Sequence, residues 1–337
     1  MLFTNKPFII AEMSGNHNKS LKRALEIVEK AKEAGVDAVK LQTYTPDTIT
    51  LNVKNNDFLI MNPNSHWYGR NLYDLYKEAY LPWEWHEDIF KKCKELGLYC
   101  FSSPFDESAV DFLEKLNAPF YKIASFEMND LNLIEKVAKT KKPIIMSTGM
   151  ATLSEIDNAV RTVKKYSNSE IVLLKCTSNY PADPADSNLL TIPHMKQLFN
   201  CVVGLSDHTI GIGTSVASIA LGAQVIEKHF TLSRSDGGVD ADFSLEPFEM
   251  KQLVKECNQA FKSLGKIKYG PNGKEDVEGR RSLYVAEDIK AGELFTKKNI
   301  KSVRPGYGLP TKYLNIIVGR IAKTDLKKGT RVTWDLL

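Results

Sequence analysis

The sequence lacks an apolar run able to cross a bilayer. Its longest mostly apolar stretch, Val216 to Ile226, is far short of the ~20 residues a spanning helix needs. It also lacks a dominant charge: 45 Lys and Arg against 41 Asp and Glu leave a net +4. That is too small and too dispersed to point to a nucleic acid or a membrane surface. The opening MLFTNKPFIIAEM has no basic region, no long apolar core and no cleavage site, so export is not expected. There is no C-x-x-C pair, and the five cysteines (Cys93, Cys100, Cys176, Cys201, Cys257) are odd in number. Reduced cytosolic thiols fit this better than a disulfide framework. With 43% hydrophobic and 26% charged residues, the composition is that of an ordinary globular chain. The expectation is a soluble cytoplasmic enzyme.

What is present is an alternation. Short apolar runs recur at Phe8–Met13, Ala38–Thr43, Tyr99–Pro104, Phe120–Ser125, Pro143–Thr148, Ile171–Cys176, Val203–His208 and Val225–Phe230. Near-continuous apolar character is the pattern of parallel strands covered on both faces. Amphipathic stretches lie between them. Leu21 to Ala34 gathers Ala24, Val28 and Ala31 on one face, Leu153 to Val163 keeps the same period, and Ser20 and Thr152 stand at N-cap positions. Eight such units predict an α/β (β/α)8 TIM barrel rather than an open doubly wound sheet. The open sheet would carry a Gly-rich fingerprint after its first strand, where EMSGNHN stands instead. The expected layout is a catalytic barrel over 1–265, a polar, Gly-rich linker over 266–281 and a small mostly-β domain over 282–337. In the last of these, Asp288–Ile300 imperfectly repeats Asp325–Leu337. The aromatic-rich segment from Tyr44 to Leu98 follows the second strand. It should therefore rise over the active face as a lid or specificity element.

Functional-looking side chains gather where these strands end, and in a barrel those ends converge on one face. They comprise Glu12, Lys40, Gln42, Ser102, Ser103, Lys122, Ser125, Glu127, Ser147, Thr148, Lys175, Thr177, Ser178, Ser206, Asp207, His208, Glu227 and His229. An apolar strand tolerates such groups only if they are paired, hydrogen-bonded or wet. His208 and His229 end adjacent strands and could share one divalent metal, Mn2+ first, with Mg2+ or Co2+ as alternatives. Two hydrogen-bonded barrel histidines fit the same pattern. Lys40, Lys122 and Lys175 with Ser125, Ser178 and Ser206 read as a phosphate or carboxylate pocket, although a Schiff-base lysine remains a rival. Glu12, Glu127, Glu227, Asp207 and Asp240 are the acid/base candidates. The glycines of HTIGIGTS could open a helix N-terminus towards an anion or simply make a turn. His66, His86 and His194 are not expected to be ligands. A non-catalytic binding protein is the alternative from another class.

AEMSGNHN, VKLQTY, YKIASFE, MSTGMA, GLSDHT and IEKHFTL resemble the sialic acid synthase family, whose members condense phosphoenolpyruvate with an N-acylated sugar aldehyde. The segment from about Ser282, including SVRPGYG, resembles that family's antifreeze-like (SAF) domain. Within the family, WYGRNLYDLYKEAYLPWEWH, FSSPFD and RSDGGVDADFSLEP are most similar to the branch making pseudaminic acid. Ser178 stands in CTSNYP where N-acetylneuraminate synthases typically carry Asn, which favours a modified dideoxy sugar. The expected substrate is then of the 2,4-diacetamido-2,4,6-trideoxy-altrose type, with legionaminic or N-acetylneuraminic acid synthesis as the alternative. The resemblance implies metal ligands His208 and His229. It assigns Lys40, Lys122, Ser125, Ser178 and Ser206 to phosphoenolpyruvate, and Glu12, Gln42, Tyr180 and Asp240 to the sugar. Glu127 would move a proton, so that Glu12, Lys122 and Glu127 form the catalytic set. Arg304 would enter the barrel of a second copy in a domain-swapped homodimer.

Overall fold

The computed structural model of the protein describes residues 6–63, 65–271, 273 and 277–337. The leader reading over residues 1–5, position 64 of the Tyr44–Leu98 segment, and positions 272 and 274–276 of the linker reading lie outside the described residues. The chain divides after Gly265 into two compact units.

In the first unit eight parallel strands close into a barrel in sequence order. They are β1 (Phe8–Glu12), β2 (Ala38–Thr43), β3 (Tyr99–Pro104), β4 (Tyr121–Ile123), β5 (Ile144–Ser147), β6 (Ile171–Cys176), β7 (Val202–Asp207) and β8 (Val225–His229). The closing pair, β1 with β8, sets Phe8 against Val225 and Glu12 against His229. The helices Leu21–Ala34 and Leu153–Tyr166 carry the expected caps, with Ser20 accepting from the Arg23 N–H and Thr152 from the Glu155 N–H.

Alternation along each strand separates two cores. Ile9, Ala11, Val39, Leu41, Ile144 and Leu173 face the helices, whereas Phe8, Ile10, Ala38, Phe101, Phe120, Ile145, Val172 and Leu174 fill the barrel. The inward positions are apolar at the strand starts and polar at the strand ends. A plugged lower half therefore supports a polar upper half. At Gly204 of β7 an added Cβ would lie 2.1 Å from the Val225 carbonyl oxygen, so only glycine permits this approach of β7 and β8.

The Tyr44–Leu98 segment proves to be two things. His86–Glu95 is an ordinary barrel helix, with Ile89 and Cys93 buried in the strand–helix core. Only residues 44–85, including the helix Leu72–Ala79 capped by Asn71, form an added wall. No helix among the described residues is long and apolar enough to cross a membrane.

The second unit has its own core of Leu283, Val285, Ile289, Phe295, Ile300, Ile317, Ala322, Leu326 and Val332. Its two strands, β9 (Ser282–Val285) and β10 (Ile300–Val303), pair antiparallel. The internal repeat appears as reciprocity. Ile289 and Leu326 exchange backbone hydrogen bonds, Lys290 pairs with Asp325 at 2.8 Å, and Lys327 pairs with Asp288 at 2.8 Å. Each repeat's aspartate also accepts a backbone N–H from the other, Asp325 from Ala291 and Asp288 from Lys328.

Candidate active site

The floor of the site is a buried set of four charges on strands β1, β2, β4 and β8. Lys40 Nζ lies 2.8 Å from Glu12 Oε2 and 3.5 Å from Glu227 Oε1, and Lys122 Nζ lies 3.1 Å from the same Glu227 oxygen. Ser206 donates to Glu227 at 3.0 Å, and the Gln42 amide donates to Glu12 at 3.0 Å. Burial alone would raise Glu227, but Lys122 and then Lys40 hold it at about 2. Burial does raise Glu12. The Lys40 ammonium is desolvated as well, yet Glu12 and Glu227 more than compensate and raise its pKa. Lys122, with less compensation, is pushed down by burial.

Above this floor sit two imidazoles. The His208 and His229 rings have centroids 5.3 Å apart, and the Tyr180 ring lies 4.3 Å from that of His208. His208 Nδ1 contacts the Thr177 carbonyl at 2.9 Å. A carbonyl only accepts, so Nδ1 carries the hydrogen and a neutral ring keeps its lone pair at Nε2. His229 is held neutral, well below its ordinary pKa, by burial and by His208. Its buried Nδ1 has no hydrogen-bond partner and stands 3.9 Å from Asp240 Oδ2. Asp240, itself raised by burial, accepts from Ser14. No ready-made group of three or more His, Cys, Asp or Glu ligands exists among the described residues. An orphaned imidazole nitrogen beside a carboxylate, with a second imidazole next to it, nevertheless fits a cation whose remaining positions stay open to substrate.

A third cluster surrounds Gly149. Its N–H donates to Ser125 Oγ at 3.2 Å. An added Cβ there would lie 2.2 Å from Ser178 Oγ and 2.8 Å from Ser125 Oγ. The neighbouring Ser147 hydroxyl is buried without a partner. Glycine thus leaves open a cradle of N–H and O–H donors of the kind an anion requires.

A cavity of about 1160 Å³ opens over these groups. Gln42, Glu127, Ser178, Tyr180, His229 and Asp240 line it. Glu12, Lys40, Lys122, Ser125, Ser206 and His208 are buried and outside this lining. Arg304 is an exposed residue of the second unit. Residues 44–85 contribute a largely apolar wall that includes Ile49, Ile60, Leu72, Leu75 and Tyr76. From the same segment the Trp67 ring packs 5.5 Å from that of Tyr180, and its indole N–H donates to the Val239 carbonyl at 3.1 Å.

Several expectations are corrected by strand alternation. Asp207 faces the helices, where it pairs with Lys228 at 3.0 Å and accepts from Thr209 and Ser215. It is therefore committed to structure, as is the HTIGIGTS turn that it ties down. Ser102 bonds Thr43, and Thr43 bonds His86, also on the outer face. His66 lines the cavity and approaches Asp242 at 3.5 Å. Sequence reasoning passed over Cys176, which alternation turns inward beside His208, 3.9 Å from its Nδ1. It also passed over Ser14 and Gly149, for which the sequence carries no signal beyond the motifs that contain them.

Glu127 carries a pH-dependent consequence. Burial raises it to about 7, and its Oε2 has no partner. A carboxyl with a folded-state pKa above its unfolded value binds more protons when folded, so stability falls as pH rises through that window. The wild type should lose about 3 kcal/mol relative to Glu127→Gln between pH 4.5 and 7.5, read by urea unfolding. A difference that stays flat with pH would contradict this burial.

Comparison with known proteins agrees with this architecture. The chain matches the model of the NeuB family over residues 27–269 and that of the SAF domain over residues 280–337. It is 46% identical over 332 residues to a pseudaminic acid synthase of Campylobacter jejuni, covering 96% of this chain and 94% of that protein. It is 37% identical over 337 residues to the N,N'-diacetyllegionaminic acid synthase of Legionella pneumophila, covering 97% and 94%. The crystal structure of N-acetylneuraminic acid synthetase from Leptospira borgpetersenii, in complex with citrate, superposes with a TM-score of 0.71. The two are 32% identical, and the match covers 80% of this chain and 88% of that one. The chain therefore belongs to the NeuB family of enzymes and carries a C-terminal SAF domain.

Proposed function

We propose that the protein condenses phosphoenolpyruvate with a 6-deoxy, di-N-acetylated hexose of the 2,4-diacetamido-2,4,6-trideoxy-altrose type, forming pseudaminic acid and phosphate. The observation that carries the 6-deoxy, di-N-acetylated part of this reading is a cavity of two characters. Donors and carboxylates at the strand ends line one part, and Ile49, Ile60, Leu72, Leu75 and Tyr76 line another. A sugar with methyl groups at C6 and on two acetamides meets such a wall favourably. A hydroxyl buried there would lose its water without gaining a partner. One methyl group discriminates by ~10–200-fold in a hydrophobic pocket. The altrose configuration is supported by the similarity to a pseudaminic acid synthase, since the legionaminic precursor carries the same methyl groups.

Lys40, Lys122, Ser125, Ser178 and Ser206 hold the phosphate and carboxylate of phosphoenolpyruvate. Gln42, Tyr180 and Asp240 contact the sugar, and Glu12 orients Gln42 through their 3.0 Å hydrogen bond. The enol carbon attacks the aldehyde carbon, water adds at C2, and phosphate leaves with the oxygen that bridged it to C2. Glu127, near the midpoint of its titration at neutral pH, moves a proton at its unpartnered Oε2. The floor is already charged and hydrogen-bonded before substrate arrives, so positioning and preset electrostatics supply much of the acceleration. A divalent cation held by His208 and His229, Mn2+ foremost with Mg2+ or Co2+ as alternatives, would supply Lewis-acid polarisation of the aldehyde oxygen. The active unit is a domain-swapped homodimer in which Arg304 of one copy serves the barrel of the other.

Two experiments test this reading. The first incubates phosphoenolpyruvate with the three precursors of pseudaminic, legionaminic and N-acetylneuraminic acids, following phosphate release and product mass. Preference for the first precursor is expected, with activity lost in EDTA and restored by Mn2+. Absence of phosphate release contradicts the condensation, preference for either other precursor contradicts the sugar, and full activity in EDTA contradicts the metal. The second mixes Arg304→Ala with His208→Ala. Two inactive variants should regain about a quarter of wild-type activity per dimer if the arginine acts in trans, one wild-type barrel then meeting one wild-type arginine in each mixed pair. No recovery contradicts the swap.

A further inference from the structure

The cavity wall is short of positive charge. Among the described residues Lys175 is the only lysine or arginine lining it, against the carboxylates of Glu127, Asp183, Asp186 and Asp240. The lysines of the floor are already compensated, Lys40 by Glu12 and Glu227 and Lys122 by Glu227. Two cations paired with two carboxylates offer an incoming anion directional donors but no net attraction.

Lys175 differs. No carboxylate of the described residues stands within 4.0 Å of its ammonium, which donates instead to the Cys176 carbonyl at 2.8 Å. That bond uses one of three N–H donors and none of the charge. Alternation along β6 turns Cys176 inward and Lys175 outward. The long side chain therefore curls back over the strand end to reach the cavity. The hydroxyl cradle opens on the same cavity, since Ser178, which crowds Gly149 together with Ser125, lines it as Lys175 does.

We infer that Lys175 is a further substrate-binding residue, the uncompensated cation that captures the phosphoryl group of phosphoenolpyruvate and retains inorganic phosphate after the reaction. The inference rests on the condensation proposed above, and its test separates the two. Wild type, Lys175→Met and Lys175→Arg are assayed with each substrate varied in turn, and inorganic phosphate binding to the resting enzyme is measured by calorimetry. Lys175→Met should raise the KM for phosphoenolpyruvate and the dissociation constant for phosphate by at least about tenfold. The KM for the sugar should stay within about twofold, with most of the affinity regained in Lys175→Arg. Unchanged phosphate affinity, or equal rises in both KM values, overturns the assignment. If the wild type releases no phosphate from the substrate pair, the condensation fails, and the calorimetry still decides whether Lys175 binds the anion. A thermal melt of Lys175→Met matching the wild type excludes a folding defect.

Discussion

The pairing of Glu12, Glu227, Lys40 and Lys122 inside the barrel is the constraint on which the site depends. None of these groups could remain charged there alone, because an isolated buried ion costs far more than the marginal stability of a fold. Together they form a compensated set, and Ser206 and Gln42 satisfy further lone pairs. The set also ties strands to one another. Glu12 of β1 stands in register with Lys40 of β2 on one side and with His229 of β8 on the other. Because strand pairing has a period of two, a one-residue slip would turn a charge of the floor towards the apolar helix layer.

From that floor the chemistry is layered. The apolar plug of Phe8, Phe101 and Phe120 closes the barrel below. The charged quartet and the histidine pair occupy the strand ends, and residues 44–85 raise a wall around the opening. Trp67 links the layers by packing against Tyr180, whose ring covers His208. The added wall thus reaches Tyr180, and through it His208, by ring contacts as well as shaping the cavity.

The barrel was legible in the sequence because parallel strands buried on both faces appear as apolar runs. Ala38–Thr43, Tyr99–Pro104 and Ile171–Cys176 match their strands end to end, and the others shift by one or two residues. The clustering of polar groups at strand ends was legible for the same reason. The facing of individual side chains was harder to read. In VGLSDH and VIEKHF, Ser206 and Asp207, or Glu227 and Lys228, look equally functional, yet alternation sends Ser206 and Glu227 inward and commits Asp207 and Lys228 to each other outside. A run without polar–apolar alternation does not reveal its phase. Nor was the end of the added wall visible, since His86–Glu95 has the same amphipathic period whether it belongs to an insertion or to the barrel's outer ring. In the second unit the repeat was visible as similarity, but the crossed pairing of Asp288 with Lys327 and of Asp325 with Lys290 needed the structure.

In the proposed reaction this floor holds phosphoenolpyruvate while water adds at C2 of the enol phosphate, so that the carbon–oxygen bond is the one that breaks. The most direct measurement uses phosphoenolpyruvate labelled with 18O in the bridging oxygen and follows the label by mass spectrometry after condensation. The account predicts that the label leaves in the inorganic phosphate. Label retained in the sugar acid would mean cleavage at phosphorus and would contradict it.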